Sequence, residues 1–143
     1  MSAVDQAVVT WRGGVTFDAD VRAHRVRLDQ PKDEGGTDEG ITPVECLAVS
    51  LASCVAYFAA RFAQRHAVVL DDLRVSVAWE YAEQPHRIGR FEVRLSYAGA
   101  LDEGMRQRLQ RVVEGCTVHE TLSHPAEIRV TITEERVPAR DPR

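Results

Sequence analysis

Three cysteines, Cys46, Cys54 and Cys116, are the residues of this 143-residue chain best suited to covalent chemistry. A thiolate is a nucleophile, a redox centre and a metal ligand, whereas a buried thiol acts as a small hydrophobe. Three are too few for a disulfide scaffold, and the odd count leaves at least one thiol unpaired. Cys46 and Cys54 lie eight apart within Cys46 to Ala60, a run of 15 residues without charge that reads as helix. Eight helical residues rise about 12 Å, beyond the roughly 7 Å Cα limit of a disulfide, so these two do not pair while the helix is intact. Cys116 falls on the apolar stripe of a second predicted helix and is free to face the first. Cys54 with Cys116 is therefore the intrachain pair that geometry readily permits. Spacing alone does not establish it, because two helices packed through small sulfur-bearing side chains satisfy the same pattern. His119, one turn beyond Cys116, makes a Cys/His nucleophile or a metal pair a further reading. No third and fourth ligands stand at suitable spacing, so no metal or other cofactor is expected. His66, His86 and His124 fall at element ends or turns and read as solvated.

The elements that must position these thiols follow from periodicity. Val15, Phe17, Ala19 and Val21 alternate with polar residues, and His24-Arg25-Val26-Arg27-Leu28 resumes the alternation after a turn, which predicts two strands. Asp29 to Gly40, rich in Pro, Gly and acids, reads as a loop. Thr42-Pro43-Val44-Glu45 carries a capping-box pattern and opens a helix expected to run to about Arg65. Leu73, Val75, Val77, Trp79 and Tyr81, then Phe91, Val93, Leu95 and Tyr97 after a turn at Gln84 to Arg87, predict an antiparallel hairpin with one buried face. Asp102 caps a second helix with an apolar stripe of Met105, Leu109, Val112, Val113 and Cys116. Ile128, Val130 and Ile132 alternate with Arg129, Thr131 and Thr133 as a last strand. Strands, helix, strands, helix, strand make an α+β domain.

Composition narrows the class. A hydrophobic fraction of 44% argues for a packed core, and a net charge of −4 gives no electrostatic reason to expect nucleic acid or an anionic membrane surface. The start, Met1 to Gln6, lacks the basic and apolar regions of a signal peptide, and a cytoplasmic location follows. The uncharged run is about 22 Å long as helix, against a bilayer core of about 30 Å, so it reads as a buried core helix. Its apolar character nearly all round demands cover on every side, which one small domain struggles to give; a homodimer is expected to bury it. Residues 1–143 read as a single domain with a frayed tail at about 137–143.

Gly35-Gly36-Thr37-Asp38-Glu39-Gly40-Ile41-Thr42-Pro43-Val44-Glu45, leading to Leu51-Ala52-Ser53-Cys54, resembles the segment around the reactive cysteine of the OsmC/Ohr family. These are the osmotically inducible and organic-hydroperoxide-resistance proteins. Cys116-Thr117-Val118-His119-Glu120-Thr121-Leu122 is similar to the family's second-cysteine motif, and Thr10-Trp11-Arg12-Gly13-Gly14 fits the first strand and turn of many members. The resemblance covers nearly the whole chain. It implies an OsmC-like fold, with antiparallel sheets wrapped around a central buried helix in an intertwined homodimer. It also implies thiol-dependent reduction of organic hydroperoxides or hydrogen peroxide, with Cys54 as nucleophile and Cys116 closing a Cys54–Cys116 disulfide. The implied partners are a hydroperoxide and a dithiol reductant, lipoyl-type or thioredoxin-like. In the family an arginine, positioned by a glutamate, supports the thiolate; Arg12 or Arg22 is the candidate arginine here. Val44 stands where the organic-hydroperoxide branch carries its glutamate, and Glu45 follows one residue later. Nine residues at about 100° each put Glu45 roughly opposite Cys54, as a catalytic residue acting from the helix entrance or across an interface, or only as a helix cap. The departure at Val44 keeps a second reading in view, that of a non-catalytic small-ligand-binding or redox-sensing member.

Overall fold

A computed structural model describes residues 5–136; the tail expected to fray, 137–143, lies outside them. Three short antiparallel strands open the fold, in the order β1 (Val8–Trp11), β2 (Phe17–Val21) and β3 (His24–Leu28). The alternation expected of β2 and β3 pairs them from Phe17↔Leu28 to Val21↔His24. On this sheet Asp18 is almost enclosed, and a carboxylate so placed needs partners. Arg27, its cross-strand neighbour, forks onto both oxygens at 2.9 and 3.2 Å, and Arg12 Nε stands 3.3 Å away. The Arg27 hydrogen bonds foremost, with the charges of Arg25 and Arg12, hold the Asp18 carboxyl below the usual carboxylate range.

The loop that follows is organised by one side chain. Asp29, 1% exposed, accepts the backbone N–H groups of Gln30 (2.8 Å), Thr37 (3.3 Å) and Glu39 (3.0 Å) and the Thr37 hydroxyl (2.7 Å). These donors, Glu39 first, keep its carboxyl far below the ordinary range. The wrapping is tight enough to demand glycine at two points. A Cβ on Gly36 would lie 1.9 Å from the Gln30 carbonyl oxygen, and one on Gly40 2.2 Å from that of Arg27. The loop ends in a bridge between Leu28 and Ile41, which delivers Thr42 to the start of the long helix.

That helix, α1 (Pro43–His66), buries Ala48, Leu51, Val55, Ala59 and Phe62, a stripe at three- and four-residue spacing. It lies against the hairpin of β4 (Asp71–Ala82) and β5 (Arg87–Ala98), whose Val75↔Leu95, Val77↔Val93 and Trp79↔Phe91 pairs fall on alternate positions. Full burial of a side chain such as Leu51 or Phe62 contributes about 1.5–3 kcal/mol. By length and composition α1 could cross a bilayer, but its buried stripe is covered by this chain's own hairpin and helices, so it is the core helix. The opposite side is not covered: Leu47, Val49 and Tyr57 are 38%, 54% and 55% exposed. The α+β class and the antiparallel sheets are as expected.

Two expectations need correction. Cys116 is not on the second helix. α2 (Glu103–Glu114), capped by Asp102, stops at Gly115, and Cys116 is the N-cap of a separate short helix, α3 (Thr117–Ser123). The period-3.6 pattern ran through a glycine that ends the helix. The last strand does not form either: the segment around Ile128 to Thr133 carries no regular secondary structure, and Ile128, Val130 and Ile132 are 85%, 84% and 90% exposed. A strand is defined by its neighbour, and among the described residues the segment pairs with none.

The Asp29 staple sets a pH dependence. Its folded-state pKa is depressed, so its contribution to stability is complete above the unfolded value and is lost as pH falls below about 4. Asp29→Asn is expected to lower the melting temperature at neutral pH and to flatten its decline between about pH 4 and pH 2, measured by thermal denaturation across that range.

Candidate active site

Packing of α1 against the short helix brings Cys54 and Cys116 together. Cys116 is fully enclosed, in a cluster with Leu51 and Val55, while Cys54 is half-buried at its edge with Phe58, Val113 and Val118. Both thiols are free. Each sulfur receives a backbone donor from the first turn of α3: the Val118 N–H points to Cys54 Sγ at 3.5 Å, and the His119 N–H to Cys116 Sγ at 3.4 Å. The two thiols thus converge on two consecutive amides. Burial foremost pushes the Cys116 thiol up; the His119 N–H opposes this, and the neighbouring Cys54 adds to the rise. Cys116 is therefore held as a neutral thiol at physiological pH.

The remaining candidates stand elsewhere. Glu45 closes the capping box: its N–H meets Thr42 Oγ1 at 3.1 Å, and its Oε1 accepts the Thr42 N–H at 2.9 Å. Nine helical residues place it about 13 Å along the axis from Cys54. Its other surroundings are a cavity of about 360 Å³ shared with Gln30, Glu34 and Trp79. Arg12 is held by Asp18, and Arg22 occupies the turn between β2 and β3 with φ of 54°. Among the described residues, the hydrogen bonds to the two sulfurs come from backbone amides and none from a guanidinium. Cys46 lies near the start of α1, its carbonyl accepting the Ser50 hydroxyl at 2.9 Å.

The α3 amides are the functional groups that sequence reasoning missed. Their signal was Gly115, which ends α2 and leaves Cys116 at a cap position three residues before His119. A cysteine in place of the usual serine or threonine hides that signature. His119 itself reaches the wall of a half-open groove of about 520 Å³ between β5 and α2, with Val55, Leu95, Arg106 and Val113. Neither sulfur lines that groove.

Comparison with known proteins identifies the fold and the family. The family model of OsmC-like proteins matches residues 36–131. Among solved structures, the chain resembles an OsmC-like protein from Mycoplasma pneumoniae (TM-score 0.75, 18% identity, 87% of this chain and 91% of that one). It also resembles an organic hydroperoxide resistance protein from Elizabethkingia anophelis (0.63, 14%, 85% and 89%). The organic hydroperoxide resistance protein OhrB of Bacillus subtilis is a third such structure (0.59, 17%, 86% and 93%). At these identities the likeness is one of fold. No curated protein matches the chain by sequence.

Substitution at the helix entrance separates capping from chemistry. Thr42→Ala is expected to lower stability by about 1 kcal/mol in chemical denaturation. Glu45→Gln keeps an acceptor oxygen at the same place and is expected to change stability by less; altered thiol reactivity in that stable variant would show that the carboxylate does more than cap.

Proposed function

Because the chain belongs to the OsmC-like protein family, we propose that it is a thiol-dependent peroxidase acting on organic hydroperoxides or hydrogen peroxide. The observation that carries this reading is the convergence of Cys54 and Cys116, both free, on the adjacent Val118 and His119 amides. In the proposed reaction the Cys54 thiolate attacks one peroxide oxygen. The S–O bond forms as the O–O bond breaks, and the departing alkoxide or hydroxide takes up a proton. Cys116 then attacks the Cys54 sulfenic acid, forming the disulfide and releasing water. An external dithiol, lipoyl-type or thioredoxin-like, restores both thiols by exchange. Proteins of similar fold named for organic hydroperoxide resistance support the substrate class.

The geometry favours this division of roles. Cys54 is the more accessible sulfur, and the Val118 N–H is directed at it. Cys116, enclosed and kept protonated, is suited to the second step. Free thiols of this kind belong to a reducing compartment, which supports a cytoplasmic location. The working form on this reading is a homodimer. Support comes from the uncovered side of α1 and from exposed apolar rows at both ends of the described chain, Val8, Val9 and Trp11 on one side and Ile128, Val130 and Ile132 on the other. Such rows in a soluble chain mark surfaces that another chain covers.

Cys54→Ser is expected to reduce peroxide consumption to the background rate. Cys116→Ser is expected to oxidise once and stop, with the sulfenic acid trapped by a dimedone-type reagent. A wild-type protein that loses no thiols on peroxide addition would end the proposal. Turnover measured with organic hydroperoxide against hydrogen peroxide, using dihydrolipoamide and thioredoxin in turn, ranks substrates and reductants. For the assembly, Val130→Asp is expected to shift the species seen by sedimentation from dimer to monomer.

A further inference from the structure

The short helix over the two sulfurs is held by the sulfurs themselves. α3 has seven residues and buries none of them completely. A helix of that length is marginal on its own, so its capping bonds count for more than they would in a long helix. Its N-cap acceptor is Cys116 Sγ, and the next amide toward the start, that of Val118, rests on Cys54 Sγ. Val118 packs onto the cluster around Cys116, whose own exposure is 0%. α3 is thus the cover of the dithiol, and the dithiol is the cap of the cover.

We infer that closing the Cys54–Cys116 bridge releases α3, so that the cover opens in the oxidised protein and closes again on reduction. This rests on the peroxidase reading for its physiological oxidant, a hydroperoxide, which accepts the two electrons given up by the two thiols and leaves as alcohol and water. In the bridge each sulfur carries carbon and sulfur and turns toward its partner sulfur instead of toward an amide. The Val118 and His119 N–H groups lose their acceptors, and a first helical turn without acceptors is the unsatisfied state of a helix end. The consequence is functional. Thiol–disulfide exchange needs a thiolate to reach one bridge sulfur; half-buried Cys54 is open to that attack, and Cys116 is enclosed while α3 is capped. Uncapping widens the approach to the bridge in the form that needs reducing and keeps the resting Cys116 thiol enclosed.

Hydrogen exchange of the full chain in a Cys46→Ala background tests this. The dithiol form is compared with protein treated with diamide, a diazene that takes two electrons and two protons from a thiol pair whether or not the protein reduces peroxides. The expected result is that α3 amides lose protection by about tenfold or more on bridging, while α1 and the β4–β5 hairpin keep theirs. Cys116→Ser retains a capping oxygen and cannot bridge, so the same treatment should leave its α3 unchanged. Unchanged protection of α3 in bridged protein overturns the inference. So does loss of protection in the Cys116→Ser variant, or failure of diamide to form the bridge at all. A bridge formed by diamide but not by a hydroperoxide would sink the peroxidase reading instead, with the exchange comparison still deciding the behaviour of α3.

Discussion

A helix of 24 residues that is apolar on nearly every side sets the terms for the whole fold. It has more apolar surface than a hairpin and two short helices can cover. β4, β5, α2 and α3 take the stripe from Ala48 to Phe62, and that choice fixes where Cys54 comes to rest, at the edge of the covered side facing α3. The side carrying Val49 and Tyr57 stays open. The N-terminal sheet does not fill the gap: its strands pack on one another and join the rest through the Asp29 loop and the Leu28–Ile41 bridge. Trp11 is 67% exposed and the C-terminal segment presents three exposed branched residues, the surfaces that a second chain covers on the proposed reading.

The loop before α1 carries the second constraint. A buried carboxylate surrounded by four donors is a rigid device, because moving any of the donors leaves a charge without partners. Asp29 therefore fixes the path from β3 to Thr42, and Gly36 and Gly40 allow the chain to pass close to its own backbone. The capping box then starts α1 in a defined register. A single-residue slip of that register would turn Cys54 by about 100° away from Val118. The glycine-rich segment and the thiol, which the resemblance to the family joined as one motif, are thus joined mechanically as well.

Much of this was legible in the sequence, for identifiable reasons. Alternation in Leu73 to Tyr81 and Phe91 to Tyr97 is a local signal, and the hairpin formed as read. The capping box at Thr42 and Glu45 is also local, and both of its hydrogen bonds are present. The misreadings share a different cause. Cys116 was placed on α2 because Met105, Leu109 and Val113 keep a helical period that Cys116 happens to continue, and the break at Gly115 outweighs that period. Ile128 to Thr133 has the composition of a strand, but strand formation depends on a pairing neighbour, and among the described residues it has none. Asp29 was read only as part of a polar loop, since nothing local tells a buried organising carboxylate from a solvated one.

The order of events at the two sulfurs follows from their unequal surroundings. On the proposed reading a hydroperoxide reaches Cys54 before Cys116, since one is half-buried and the other sealed. Burial holds the sealed thiol neutral, which protects it from the same oxidant, because the thiolate is the form that attacks a peroxide. On that reading, once Cys54 is oxidised, the chemistry asked of Cys116 is attack on a neighbouring sulfur instead of on a peroxide in solution. Proximity then replaces acidity as the source of rate. The arginines do not enter this account from within the chain: Arg12 and Arg27 are drawn to Asp18, and Arg25 to Asp20. Among the described residues no guanidinium hydrogen-bonds Cys54, while the amides of α3 are already in place.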